Sequence, residues 1–272
     1  MAPHPSVLKF ENVTVAFDGE KALDDVSFEA VEAESCVILG AAGSGKTVLL
    51  KTAMGLLRPN SGRVQVFGED ITRMGELRLF DIRSRIGMLF QESALFDSMT
   101  IEENVGYPLL NQKSIHCPAD EVLPRVEQAL EFVSLNGTLE KFPSELSGGM
   151  RRRAAIARAV ITEPALQMYD SPTAGLDPIT AHTIMELLIK ERDVSRATTL
   201  MVTHRYQDGN LMANFRYNSE NGALEPARGG ARRELLTKFM VMKQGRLIFE
   251  GDQDQLESSA DPYITKFFKQ RV

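Results

Sequence analysis

Gly40-Ala41-Ala42-Gly43-Ser44-Gly45-Lys46-Thr47 follows the apolar run Cys36-Val37-Ile38-Leu39 and leads directly into Val48-Leu49-Leu50-Lys51-Thr52-Ala53-Met54, a helix-compatible stretch. A strand, a glycine-rich turn and a helix in that order make a phosphate-binding loop. Its glycines let backbone N–H groups turn inward on a polyphosphate, and the helix N-terminus adds a positive dipole end. Lys46 neutralises phosphate charge and the Thr47 hydroxyl suits Mg²⁺. Gly40 to Val48 is therefore the candidate binding site for the phosphates of ATP or GTP.

Outward from this loop, Val7 to Phe17 and Leu23 to Val31 alternate apolar and polar residues, so the first third reads as strand-rich. The helix that opens at Lys46 runs to about Leu57. It stops at the turn Arg58-Pro59-Asn60-Ser61-Gly62, and Arg63 to Phe67 resumes as a strand. Ile86 to Phe90 is a further apolar strand, ending at Gln91. Helical signals follow: Thr100 to Glu103 spells a capping box, and Glu121 to Leu135 carries apolar residues at helical spacing. Strand signals return at Ala165 to Tyr169 and Thr199 to Val202, separated by a helix opening at Asp177-Pro178. This order predicts an α/β fold in one ATP-binding domain: a parallel core, an antiparallel N-terminal β subdomain and a helical subdomain from about 92 to 160.

With 43% hydrophobic and 25% charged residues among 272, the chain can bury one large core. A formal net charge of −6 argues against a broad nucleic-acid surface. Cys36 and Cys117 are too few for a disulfide framework, and Cys36 in an apolar strand reads as a packed free thiol. The start, Met1-Ala2-Pro3-His4-Pro5, has no leader pattern, and no apolar run approaches the roughly 18 residues that span a bilayer. The expectation is a cytoplasmic chain, held at a membrane only by a partner.

A second diagnostic stretch is Leu146-Ser147-Gly148-Gly149-Met150, followed by Arg151-Arg152-Arg153-Ala154-Ala155. Ser147 is an N-cap candidate, and the two glycines leave the next amides bare for an anion. One chain thus carries two phosphate-seeking helix starts. Head-to-tail pairing of two copies, with ATP between them, uses both on one nucleotide.

These motifs resemble the nucleotide-binding subunits of ATP-binding cassette (ABC) transporters, and the likeness covers nearly the whole length. Leu146 to Met150 is similar to the family's signature element, Gln91 to its Q-loop glutamine and Leu166 to Asp170 to its second nucleotide motif. Gly175-Leu176-Asp177 resembles the D-loop and His204 the switch histidine. The resemblance implies that Lys46 and Thr47 hold the β- and γ-phosphates and Mg²⁺, that Gln91 and Asp170 reach Mg²⁺ or its waters, and that His204 contacts the γ-phosphate. Ser147 and Gly149 would serve the nucleotide bound mainly to the opposite copy of a homodimer, and Gly148 and Asp177 are further nucleotide-binding candidates. Phe17 is either the aromatic that stacks on adenine or an ordinary strand residue.

Within the family, three phrases resemble the MCE-associated, Mla-type ATPases of lipid transport. They are Met88 to Asp97 with Val105 to Leu109, the signature ending in Met150 with Arg152-Arg153-Ala154-Ala155, and the tail Asp261 to Phe268. The arginine run also suits a solvated helix face. This likeness implies a transmembrane permease, MCE and small regulatory subunits as partners, and a place on the cytoplasmic face of the inner membrane. An importer of another substrate is the alternative.

Two stretches depart from the pattern. After Asp170 the family normally has a glutamate that polarises the attacking water, whereas this chain has Ser171. A hydroxyl is a poor base, so binding should survive while hydrolysis slows by about 10²–10⁴-fold. A non-hydrolytic, ATP-gated clamp, a mixed dimer and a substitute base at Glu92 are the other readings. Gln167, inside a strand that should be buried on both faces, is also unusual. The second departure is Asn218 to Glu234, with one large apolar residue and three acids balanced by three arginines; it reads as a mobile surface loop.

Overall fold

The computed structural model describes residues 5–112, 114–227 and 236–269. The chain begins with two long antiparallel strands, β1 (Ser6–Phe17) and β2 (Glu20–Val31), whose alternating burial matches the alternation in sequence. The buried strand β3 (Ser35–Leu39) then feeds the glycine-rich loop and helix α1 (Lys46–Ala53). This helix ends short of Leu57, in the turn that precedes β4 (Ser61–Val66). With β5 (Glu69–Asp70), these outer strands form a sheet in the order β2-β1-β4-β5.

Helix α2 (Glu76–Arg83) and strand β6 (Ile86–Leu89) lead into the helical region. There α3 (Ile101–Asn111) opens on the expected capping box: the Thr100 hydroxyl accepts from Glu103 N, and Glu103 accepts from Thr100 N at 2.8 Å. Next come α4 (Ala119–Phe132) and α5 (Gly148–Val160), then β7 (Leu166–Asp170), α6 (Pro178–Ser195), β8 (Thr198–Thr203) and α7 (Tyr206–Asn214). The chain closes through β9 (Phe215–Asn218), β10 (Ala223–Pro226), β11 (Thr237–Lys243), β12 (Arg246–Gly251), α8 (Gln253–Glu257) and α9 (Pro262–Lys269).

The central sheet runs β12-β11-β3-β8-β7-β6. All neighbours are parallel except the edge pair β11 and β12. Every residue of β3, β7 and β8 is buried because both faces are covered. Alternate residues of β3 serve two cores: Val37 and Leu39 pack toward the helical side, and Cys36 and Ile38 toward the antiparallel sheet. Each such aliphatic side chain contributes about 1.5–3 kcal/mol on burial.

Gln167 lies within this buried β7. Its Nε2 donates to Glu191 Oε1 at 2.7 Å, while its Oε1 accepts from the Tyr169 hydroxyl. The polar side chain is therefore satisfied internally, as burial requires. The expectation of a loop over Asn218–Glu234 is corrected in its first part. Asn218 pairs with Ala223 and Tyr217 with Leu224 in an antiparallel hairpin. The turn forms because the Asn218 and Asn221 side chains accept from Glu220 N and Ala223 N, and Gly222 takes a positive φ of 70°. Residues 228–235 lie outside the described residues.

Candidate functional site

Parallel pairing gathers motifs that are far apart in sequence. Leu39 is level with Thr203, Val202 with Asp170, and Tyr169 with Leu89. The segments after β3, β8, β7 and β6 therefore leave the sheet along one carboxyl edge, where ligands bind in open α/β sheets. These segments carry Lys46, His204, Ser171 and Gln91, and all four line one cleft of about 780 Å³ together with Ala41 to Val48.

In the phosphate loop, Gly45 has φ of 106°, and a Cβ there would collide with the Ala22 carbonyl; only glycine fits. Lys46 is buried, and its Nζ donates to the carbonyls of Gly40 and Ala41, both at 2.8 Å, and to Ser44 Oγ at 3.3 Å. Burial pushes its pKa down and Asp170 opposes the shift. A desolvated cation at the rim of bare amides is a phosphate site. The Thr47 hydroxyl donates to Asp170 Oδ2 at 2.8 Å. A hydroxyl and a carboxylate brought together beside a phosphate loop suit Mg²⁺, which favours one or two carboxylates supplemented by water and phosphate oxygens.

Ser171 is buried and takes a left-handed φ of 49°, with its N–H on Val202 O at 2.8 Å and its hydroxyl on Asp170 Oδ1 at 3.2 Å. No Asp or Glu is among the cleft-lining residues described. Glu92 is exposed and does not line the cleft. His204 is exposed into it, on a loop fixed from behind by Asp208, a residue the sequence reading missed. Asp208 Oδ2 accepts from Thr173 Oγ1 at 2.7 Å and from Thr203 Oγ1 at 2.8 Å. Burial raises the Asp208 pKa, against those hydrogen bonds. Also unforeseen is Tyr263 on α9. Its hydroxyl accepts from Ala41 N at 3.2 Å and donates to Met242 O at 3.2 Å, bracing the loop against β11.

Phe17 is 47% exposed at the end of β1 and is not among the residues lining the cleft. Ser147, Gly148, Gly149 and Asp177 are also absent from it. They line a separate hollow of about 550 Å³ with Gly175 and Leu176. Ser147 caps α5, accepting from Met150 N at 3.3 Å, and Asp177 caps α6, accepting from Ile179 N at 3.1 Å and Thr180 N at 3.0 Å. A Cβ on Gly149 would meet Thr180 Cγ2 at 2.7 Å, so the signature turn packs closely on α6. The reading of the arginine run as a solvated face is corrected. Arg152 is buried with Nη1 on Phe90 O at 2.9 Å, and Arg153 Nη1 donates to Val133 O at 3.0 Å and Ser134 O at 2.7 Å.

A glycine-rich loop with a buried lysine, a hydroxyl–carboxylate pair and a histidine at one sheet edge define a nucleoside-triphosphate-binding cassette. Residues 23–174 match the family model described as ABC transporter. The phospholipid transport ATP-binding protein MlaF of Haemophilus influenzae is 31% identical over 97% of this chain and 90% of its own length. The probable ribonucleotide transport ATP-binding protein mkl of Mycobacterium leprae is 36% identical over 74% of the chain, and the methionine import protein MetN of Carboxydothermus hydrogenoformans 39% over 71%. The chain spans 58% of the length of each of these two. A dimeric ATP-binding cassette in a post-hydrolysis state, bound to ADP and Pi, superposes with a TM-score of 0.75 at 27% identity, covering 90% of this chain and 98% of that one. The chain belongs to the ABC transporter family, as an ATP-binding domain of the kind that hydrolyses ATP.

Proposed function

We propose that the chain is the ATP-binding subunit of a membrane transporter and works as a head-to-tail homodimer. Each ATP is held between the Gly40–Val48 loop of one copy and the Ser147–Gly149 turn of the other. The observation that carries this reading is the separation of the two half-sites, since the phosphate cleft and the signature hollow share no lining residue. Thr47, Asp170 and Gln91 would hold Mg²⁺, which supplies charge neutralisation on the phosphates. Phe17, half exposed, is proposed to stack on adenine, its other reading being an ordinary strand residue.

Ser171 and the lack of a carboxylate among the described residues lining the cleft support slow turnover. The same observation favours a second reading, a clamp that closes on ATP and regulates its permease without cleavage. Single-turnover hydrolysis decides between them: Ser171→Glu should raise the rate by about 10²–10⁴-fold if only the base is missing. Undetectable cleavage in the native protein, restored by glutamate, selects the clamp; readily measured native turnover ends it.

Among the described residues no helix is long and apolar enough to cross a membrane, so transport requires a separate permease, docked at the helical subdomain. Phospholipid or a related lipid is the proposed cargo and MCE and small regulatory subunits the proposed partners, at the cytoplasmic face of the inner membrane. Near-complete mutual coverage with MlaF supports this over the partial matches to mkl and MetN. Purification from membranes with mass spectrometry of partners and lipids tests it, and recovery of an amino-acid permease would refute it.

A further inference from the structure

The turn from Phe90 to Ala94, which carries Gln91, is unusual in two respects. Ser93 and Ala94, neither of them glycine, take consecutive left-handed conformations, with φ of 64° and 50°. Such backbone persists only where its surroundings over-determine it, and it concentrates at functional sites. Both ends of this turn are held by one helix. Arg152 Nη1 donates to Phe90 O at 2.9 Å, and Arg158 Nη2 donates to Ser93 O at 2.9 Å. The Arg158 guanidinium also lies 5.6 Å from the Phe96 ring centre, just beyond the turn.

Both arginines belong to α5, whose first turn is the signature element capped by Ser147. Gln91 and Glu92 are thus suspended between two cationic donors of the helix that presents Ser147 to a partner copy. Arg152 is only 5% exposed, and among the described residues its Nε has no hydrogen-bond partner. A buried guanidinium with an unspent donor is costly, so it calls for a reason beyond packing. The Glu92 and Asp170 carboxylates favour its charge against burial.

We propose that Arg152 and Arg158 form a two-point brace through which helix α5 positions Gln91 at the magnesium side of the cleft. The signature turn and the Gln91 loop of one copy then behave as a single rigid unit, and engagement of one ATP is mechanically linked to the geometry around the other. Arg152 is a positioning residue and touches no nucleotide. The inference rests on the assignment of Gln91 to Mg²⁺ made above.

The test is a Mg²⁺ titration of fluorescent ATP-analogue binding to the full chain, comparing wild type, Gln91→Ala, Arg152→Met, Arg152→Lys and the double variant Gln91→Ala/Arg152→Met. Loss of a ligand-orienting partner should raise the half-saturating Mg²⁺ concentration by about 10-fold in Arg152→Met. Nucleotide binding without Mg²⁺ should stay within about twofold, because the phosphate loop is untouched. Arg152→Lys, which keeps a donor for Phe90 O, should recover part of the loss. The double variant should be no worse than Gln91→Ala alone, since both act through one group. Multiplying effects in the double variant, or an unchanged Mg²⁺ requirement in Arg152→Met, would overturn the brace. If Arg152→Met does not fold, Arg152→Lys and Arg158→Lys complete the same cycle. Absence of nucleotide binding by the wild-type protein would instead refute the reading of the cleft itself.

Discussion

The phosphate cleft and the signature hollow are built on opposite principles. In the cleft, charge is buried and engaged: Lys46 is folded onto the carbonyls of Gly40 and Ala41, and Asp170 is already paired with Thr47. In the hollow, Ser147, Gly148 and Asp177 lie exposed, and the side chains of Ser147 and Asp177 are occupied in capping their own helices. In the proposed dimer, the first region holds the polyphosphate and the second meets a phosphate that the other copy presents.

The largest effect that would sharpen this contrast is the loss of Lys46. A hydrogen bond to a charged group contributes about 1.5–3 kcal/mol, so Lys46→Ala should weaken ATP binding by about 10- to 150-fold, measured by calorimetry on the monomer. Ser147→Arg should do the reverse. Monomer affinity should stay within about twofold while ATP-driven dimerisation, followed by analytical ultracentrifugation, disappears. The same variant loses a helix cap worth about 1 kcal/mol, so a fall in stability of that size is expected and does not explain lost dimerisation. A variant that dimerises normally would break the contrast, because the hollow would then have no role in assembly.

The smallest effect concerns the buried chain behind the cleft. Burial raises the Glu191 pKa above its ordinary value of 4.5, with the Gln167 hydrogen bond opposing. The native state therefore binds this proton more tightly than the unfolded state. The group's stabilising contribution is complete below the unfolded pKa and is lost as pH rises through the folded one. Glu191→Gln should accordingly become more favourable relative to wild type as pH rises from below 4.5 toward neutrality, in denaturant titrations at each pH. A difference independent of pH would show that burial does not raise the Glu191 pKa in this way.

The phosphate site was legible because its parts are local: strand, turn and helix adjoin in Cys36 to Met54, and the glycine spacing is a backbone requirement. The caps at Thr100, Ser147 and Asp177 were legible for the same reason. Strand β11 was not identified, although Phe239-Met240-Val241-Met242 is an apolar run. It is bounded by no turn signal on its upstream side, and its parallel partner Ser35–Leu39 is about 200 residues away. Arg152 misled because an arginine on a helix looks solvated until the carbonyl it reaches is known, and Phe90 is brought to α5 only by tertiary packing. Gln167 looked misplaced for the same cause: Tyr169 is its neighbour on the strand, but Glu191 meets it only once α6 covers the sheet.

Tyr263 joins the last described helix to the amide of Ala41. A change that displaces this helix would withdraw the hydroxyl from the Ala41 N–H, so a label placed near Tyr263 is a choice about the chemistry being measured.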